Sequence, residues 1–336
     1  IVVVYKIKVM NSCLQKNAAQ KSSDQIVFLS DVVKGLGQPQ KKLHSKYFYD
    51  ENGDRLFQKI MQMPEYYLTD CELDIFENKT AQLADFILGN ENPFDLIELG
   101  AGDALKSAHL LKYLSVAGVN FTYMPIDISG NILSVLDQNL KQQIPDLDVK
   151  LLEGDYFKML QRAMDVSDRR KVLLFLGGNI GNMDADEAYS FCCELHGKLN
   201  KGDLLITGFD LKKNPHTILN AYNDPHGLTA SFNLNLLARI NRELDGDFNI
   251  CKFQHYQTYD PVSGACKSYL VSLKNQTVSV GEHSFLFDEN ELIDMEISQK
   301  YEQKDIDKLA ANSGFRIIGQ IADSKNWFVN SVWHAV

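Results

Sequence analysis

Phe94-Asp95-Leu96-Ile97-Glu98-Leu99-Gly100-Ala101-Gly102-Asp103 decides the fold. An apolar run of strand length stands behind Pro93 and ends in two glycines one residue apart. Leu105, Ala108, Leu111 and Leu114 follow at helical spacing. That order reads as strand, glycine turn, helix. Downstream, 121–126, 149–152, 171–177 and 204–209 are further strand candidates with helical segments between them, notably Ala188, Phe191, Cys192, Leu195 and Leu199. Strands alternating with helices predict a parallel sheet covered on both faces, an α/β doubly wound domain.

Working outward, the rhythm breaks after Asp210. Residues 213–297 are richer in Asn, Asp and His, with a helix expected at 232–244 and strand-like runs at 268–273 and 278–287. This reads as a smaller α+β insert. The tail resumes the first pattern with a helix near 303–313, Gly314 as its stop, and runs 315–321 and 327–333 that suit a hairpin at the sheet edge. Upstream, Thr69-Asp70-Cys71-Glu72 has the form of a capping box, and Leu73, Phe76, Leu83 and Phe86 predict one long helix near 70–88. Residues 10–45 read as a polar, loosely packed arm. The expected organisation is therefore an arm at 1–45, a main domain at 46–212 plus 300–336, and an inserted domain at 213–299.

Composition narrows the function. The 336 residues are 45% hydrophobic and 23% charged, a globular balance. Acids outnumber bases 44 to 34, a net charge of −10, which argues against nucleic acid as a partner. Six cysteines without a CxxC and eight histidines without ligand spacing argue against a disulfide framework or a metal site. No apolar stretch reaches bilayer length, and the opening Ile1-Val2-Val3-Val4-Tyr5 lacks the flanks of a signal peptide. A cytoplasmic protein is expected, with Met10 as a candidate natural start.

Ligands of such sheets bind at the carboxyl ends of strands. Glu98-x-Gly100-x-Gly102 does not have dinucleotide-loop spacing and instead fits the first loop of class I methyltransferases, which wraps the amino-acid end of S-adenosylmethionine. A tight turn without a ligand is the bland alternative. The second strand ends at Asp127, an acceptor for two ribose hydroxyls, and the third at Asp155-Tyr156, an acid and a ring for adenine. Either acid could instead cap the helix that follows. Gly177-Gly178-Asn179-Ile180-Gly181-Asn182 closes the fourth strand without an Asn/Asp-Pro-Pro-Tyr/Phe, so the signature of adenine or glutamine-amide methylation is missing. It suits close backbone approach and an amide contact, or equally a turn with Asn182 capping the next helix.

Several blocks then resemble one family. Ser45-Lys46-Tyr47-Phe48-Tyr49-Asp50, Gly53, Leu56-Phe57 and Pro64-Glu65-Tyr66-Tyr67 resemble the N-terminal signature of the histidine-specific Nα-methyltransferases of ergothioneine biosynthesis. So do Glu98 to Gly102, Phe175 to Asn182, the run Gly227 to Asn233 with Asn235, and Glu296-Ile297-Ser298 with Lys300-Tyr301. The resemblance spans about residues 40–336. It implies a class I, Rossmann-like methyltransferase sheet with an inserted domain, and trimethylation of the α-amine of free histidine to hercynine by S-adenosylmethionine, without metal. By motif, Tyr49, Gly100, Lys106, Asp127, Asp155 and Tyr156 would surround the cofactor. Phe57, Tyr66, Gly177, Asn182 and Tyr222 would surround the substrate's amino-acid end, with Tyr49 and Tyr66 beside the reacting amine. Glu296 and Ser298 would hold the imidazole. The family analogy also implies a monomer.

One departure bears on specificity. Where relatives carry Arg-Ile-Glu-Met-His, this chain has Ala265-Cys266-Lys267-Ser268-Tyr269, so Ser268 is expected to replace a methionine in the wall of the side-chain pocket and leave it roomier. The competing reading is a family member acting on another amino acid or an indole-type amine. Glu296 speaks against it, because a carboxylate suits imidazole and an indole prefers an apolar wall.

Overall fold

The computed structural model describes residues 23–89 and 93–336. Met10 and the first half of the expected arm lie outside them. In chain order the strands are β1 (Phe94–Leu99), β2 (Phe121–Asp127), β3 (Leu152–Glu153), β4 (Arg170–Phe175), β5 (Leu204–Asp210), β6 (Phe253–Tyr259), β7 (Ala265–Ser272), β8 (Gln276–Val280), β9 (His283–Phe287), β10 (Leu292–Gln299), β11 (Phe315–Ala322) and β12 (Phe328–Ala335).

Among the described residues the main sheet has seven strands in the order β11-β12-β5-β4-β1-β2-β3. β1 to β5 pair in parallel, and β12 is antiparallel to both β5 and β11. Every residue of β1 and β5 is buried, as expected of strands covered on both faces. One apolar layer is formed by Leu96, Leu174 and Ile206 with the helices on one side. The other is formed by Ile97, Leu173, Phe175 and Trp333. The expected terminal hairpin is present, at the sheet edge. Chain order reverses between β1 and β4, so the crevice at their carboxyl ends is the ligand-binding position of such sheets.

A second core lies between helix Leu228–Leu244, the three-stranded sheet β10-β7-β6 and the β8-β9 hairpin. Residues 23–63 belong to this core, which corrects the loose arm and the boundary at 46. Phe28, Val32 and Leu36 stand four residues apart on helix Ser23–Leu36 and are buried with Leu43, Phe48, Ile60 and Met63 against Phe232, Leu236 and Ile240. Backbone bonds Leu43 N to Asp294 O (2.9 Å) and Asp294 N to Lys41 O (2.8 Å) seat the segment on β10. An apolar stripe of three residues in a polar stretch reads as an arm because its partner is about 200 residues away.

The single helix expected at 70–88 is two, Tyr67–Asn78 and Thr80–Leu88, broken at Lys79. Its capping box does not form. The N-cap position is Tyr66, and Glu72 is fully buried. Glu72 shares one helix face with Leu68, Cys71, Ile75 and Phe76 and points inward, so it cannot fold back to a cap.

The glycine of the N-terminal signature has a steric reason. Asp50 caps helix Glu51–Met61 by accepting from Gly53 N at 2.7 Å, and a Cβ on Gly53 would stand 1.8 Å from the Phe48 carbonyl oxygen. That clash is with backbone, which cannot swing aside. Gly53→Ala is expected to destabilise by on the order of 3 kcal/mol, read as a melting temperature several degrees lower in calorimetry. An unchanged melting point would mean that the helix start shifts freely.

Candidate active site

The loops after β1, β2 and β4 meet at the sheet's reversal point. Gly100 and Gly102 adopt φ of 69° and 56°. A Cβ on Gly100 would meet the Tyr156 hydroxyl at 2.5 Å, whereas Gly102 faces open space. The turn is tied to β2 by Gly100 N and Ala101 N, both donating to Ile126 O (2.8 and 3.2 Å). Asp127 closes it, accepting from Gly102 N at 3.0 Å and from Ser129 N at 2.9 Å. Burial raises the Asp127 pKa, with those N–H groups opposing the shift. Glu98, by contrast, lies inside the sheet and accepts from the Tyr123 hydroxyl at 2.5 Å. Burial pushes it up to about 7. It braces β1 against β2.

Asp155 does what the bland reading allowed. It is exposed and caps helix Tyr156–Met164, accepting from Lys158 N at 3.2 Å. Tyr156 reaches over Gly100, its ring edge-on to Phe175 at 6.2 Å. Lys106 is ion-paired with the buried Glu72, whose same oxygen accepts from Gly177 N at 2.8 Å. Glu72 thus ties a helix from outside the sheet to the β4 loop, a role sequence reasoning missed. The visible signal was an acid on an otherwise apolar helix stripe. Gly177 and Gly178, at φ 75° and 69°, turn the β4 loop so that Asn179 approaches Gly100. Asn182 does not cap the next helix. Asp184 does, in a full capping box with Glu187.

The β4 loop borders an open cavity between the sheet and the second core, with about 540 Å³ of empty space when the adjoining solvent is included. Tyr49, Phe57, Tyr66, Gly177, Asn182, Tyr222, Glu296 and Ser298 all line it, as do Ile60, Leu68, Gly178, Asn179, Thr229 and Phe232, which sequence reasoning did not single out. Phe232 stands in the run Gly227 to Asn233 that carries part of the family resemblance, so that motif was the available signal. Five aromatic rings form a continuous wall. Tyr49 lies 5.6 Å from both Phe57 and Phe232, Phe57 lies 6.3 Å from Tyr66, and Tyr66 lies 6.0 Å from Tyr222. Enclosure raises the Tyr49 and Tyr66 hydroxyls well above the ordinary phenol value, with Glu296 adding to the effect. Both stay neutral phenols across the working pH range. Burial pushes Glu296 up to about 7, and Lys300 opposes the rise.

Ser268 is the exception. It stands opposite Glu296 in the β7–β10 register, yet it does not line the cavity. Its hydroxyl donates to Gln257 Oε1 at 2.6 Å and lies 3.3 Å from His255 Nε2. The roomier wall expected from the methionine's loss is filled from behind by polar side chains of β6.

The residues present fit S-adenosylmethionine: a glycine turn with open space at Gly102, an anchored carboxylate at Asp127, and an aromatic-walled cavity alongside. A family model described as "Histidine-specific methyltransferase, SAM-dependent" matches residues 28–335. The histidine N-alpha-methyltransferase of Mycobacterium tuberculosis (strain CDC 1551 / Oshkosh) is 32% identical over 290 residues, covering 86% of this chain and 88% of its own. That of Mycolicibacterium smegmatis (strain ATCC 700084 / mc(2)155) is 31% identical over 290 residues, covering 85% and 88%. Ergothioneine biosynthesis protein 1 of Schizosaccharomyces pombe (strain 972 / ATCC 24843) is 29% identical over 305 residues, which are 88% of this chain but 40% of that protein. Sheet order, glycine turn, cavity and family match agree, and the chain belongs to the histidine-specific, S-adenosylmethionine-dependent methyltransferases.

Proposed function

We propose that this protein methylates the α-amine of free L-histidine, three times in succession, to give hercynine. The observation that carries the substrate reading is Glu296, among the described residues the one acidic side chain lining a cavity whose other walls are aromatic, aliphatic, glycine, hydroxyl or amide. An imidazole titrates near 6.5. Beside a carboxylate at about 7, the two groups hold one proton between them at neutral pH. Tyr222 and Asn182 offer uncharged donors to the substrate carboxylate. Bound S-adenosylmethionine supplies an electrophilic methyl group on sulfonium. Asp127 would accept from its ribose hydroxyls, Gly100 and Lys106 would flank its amino-acid end, and Asp155 and Tyr156 would border its adenine.

The amine must be neutral to attack, so a proton leaves before each transfer. Tyr49 and Tyr66 do not take it as phenolates, because their hydroxyls titrate far above neutrality; water carries it away. Their ring faces and hydroxyl oxygens stabilise the cation that grows with each methylation. The edge-to-face wall from Tyr49 to Tyr222 has the form of a cage for a quaternary ammonium, which supports trimethylation over a single transfer. In-line orientation supplies much of the rate. The reading includes a cytoplasmic monomer acting on a small molecule, apart from nucleic acid and membrane; the acidic composition and the family analogy support it.

The test is incubation with S-adenosylmethionine and a panel of free amino acids and biogenic amines, followed by mass spectrometry. Three methyl groups on histidine alone is the expected result. Methylation of an indole amine in preference to histidine would overturn the substrate assignment and leave the reaction class standing.

A further inference from the structure

Beneath the cavity, at the end of β10, lies a buried cation that the proposed mechanism does not use. Lys300 is 0% exposed. Its Nζ stands 2.7 Å from Asp210 Oδ2, 2.7 Å from the Tyr222 hydroxyl and 2.7 Å from the Ser298 hydroxyl. The three hydrogens of the amine are therefore all committed within the protein, and none is left for a ligand. Asp210 is shared with Lys213 and accepts from the Tyr67 hydroxyl at 2.8 Å. Two lysines on one carboxylate leave surplus positive charge at this end of the cavity.

Hydrogen counting takes the argument further. Tyr222 and Ser298 each accept from Lys300, and their oxygens are 2.7 Å apart, sharing one bond. The pair owns two hydroxyl hydrogens. One is spent between them, so one is free for the cavity that both residues line. The surplus positive charge favours an anion as its acceptor. If Tyr222 gives its hydrogen to a carboxylate, Ser298 must donate to Tyr222, and Ser298 then presents only a lone pair. That lone pair can only accept a hydrogen bond, and on a histidine side chain the donor available to it is a ring N–H. Ser298 sits two residues from Glu296 on the same strand, so the N–H it accepts belongs to the same ring that Glu296 meets.

We propose that Lys300 is a positioning residue that, by donating to both oxygens, leaves the Tyr222–Ser298 pair one free hydrogen, which a carboxylate draws to Tyr222, and one free lone pair, which is left on Ser298. This end of the cavity thereby selects a substrate carrying both a carboxylate and a ring N–H. The inference rests on the histidine reading above and extends it to the means of selection.

The test compares L-histidine with histamine, which keeps the ring and the amine but has no carboxylate, on protein saturated with S-adenosylhomocysteine. Calorimetry on the native protein is expected to show histidine bound at least tenfold more tightly. In Lys300→Met that preference should collapse to within about threefold, with KM for histidine raised, kcat within a few-fold, and S-adenosylhomocysteine affinity unchanged. Lys300→Met leaves Asp210 its bonds to Lys213 and Tyr67, so the carboxylate is not orphaned. A native preference that survives in Lys300→Met, or equal loss of both ligands, overturns the proposal. Ser298→Ala tests the same arrangement without touching the lysine. Tyr222 still accepts from Lys300 and donates to the carboxylate, so the preference for histidine over histamine should persist, while discrimination against phenylalanine weakens. Loss of the carboxylate preference in Ser298→Ala would reverse the assigned direction and overturn the proposal. If the native protein binds no histidine, the substrate reading falls and this inference with it; native binding with an unchanged ratio in Lys300→Met removes this inference alone.

Discussion

Glu296→Gln is expected to lower kcat/KM for histidine by two to three orders of magnitude while leaving the affinity for S-adenosylhomocysteine unchanged. The glutamine keeps the shape of the acid but cannot take up the charge of an imidazolium, and losing a charge-assisted bond in an enclosed site amounts to about 3–4 kcal/mol. The same change is expected to stabilise the folded protein in alkaline solution. In the folded state Glu296 titrates at about 7, against an ordinary 4.5. A carboxyl whose pKa is raised by folding adds stability that is fully present below 4.5 and is lost as pH rises through 7. Glutamine does not titrate. The stability of Glu296→Gln relative to the native protein should therefore increase by on the order of 3 kcal/mol between pH 4.5 and 8. Denaturant melts at pH 5 and pH 8 read this directly. A difference independent of pH would mean that Glu296 titrates like a solvated acid, and the matched proton between Glu296 and imidazole would have no basis. Together the two effects describe a residue kept for binding at the expense of stability.

Asp127→Ala is expected to weaken S-adenosylhomocysteine binding by a hundredfold or more. The carboxylate is held by Gly102 N and Ser129 N at 3.0 and 2.9 Å, which fixes both oxygens at the mouth of the glycine turn. Two hydrogen bonds from ribose hydroxyls to an ionised acceptor contribute roughly 1.5–3 kcal/mol each, so their loss carries the effect. Because Asp127 does not line the aromatic-walled cavity, turnover at saturating cofactor should recover to within a few-fold of native. Calorimetry with S-adenosylhomocysteine and a cofactor titration of turnover distinguish the two. Unchanged cofactor affinity would show that Asp127 serves only to tie the β1 and β2 loops together.

Much of this site can be read along the chain. β1, the Gly100–Gly102 turn and the helix after it are specified within about twenty residues, since a buried strand, a positive-φ turn and an amphipathic helix each leave a local pattern. The sheet reversal that places the cavity follows from the order of such units. Tyr49, Phe57 and Tyr66 were legible as a motif, though not as a wall, because ring-to-ring distances depend on how helix Glu51–Met61 docks on helix Leu228–Leu244. Local patterns also misled. Thr69 to Glu72 spells a capping box and Ser23–Leu36 reads as a polar arm, yet tertiary packing claimed Glu72 and Phe28 for the interior.

What the sequence determined by itself was the α/β sheet, its glycine loop and the family to which the motifs point. Only the tertiary structure decided which groups serve the cavity and which support it. It turned Ser268 away toward Gln257 and His255, gave Glu72 to Lys106 and Gly177, and set Lys300 beneath Tyr222 and Ser298. The physical reason is range. Periodicity and turn chemistry act between near neighbours in the chain, whereas a buried charge takes its partner from whatever distant segment the fold brings within 3 Å.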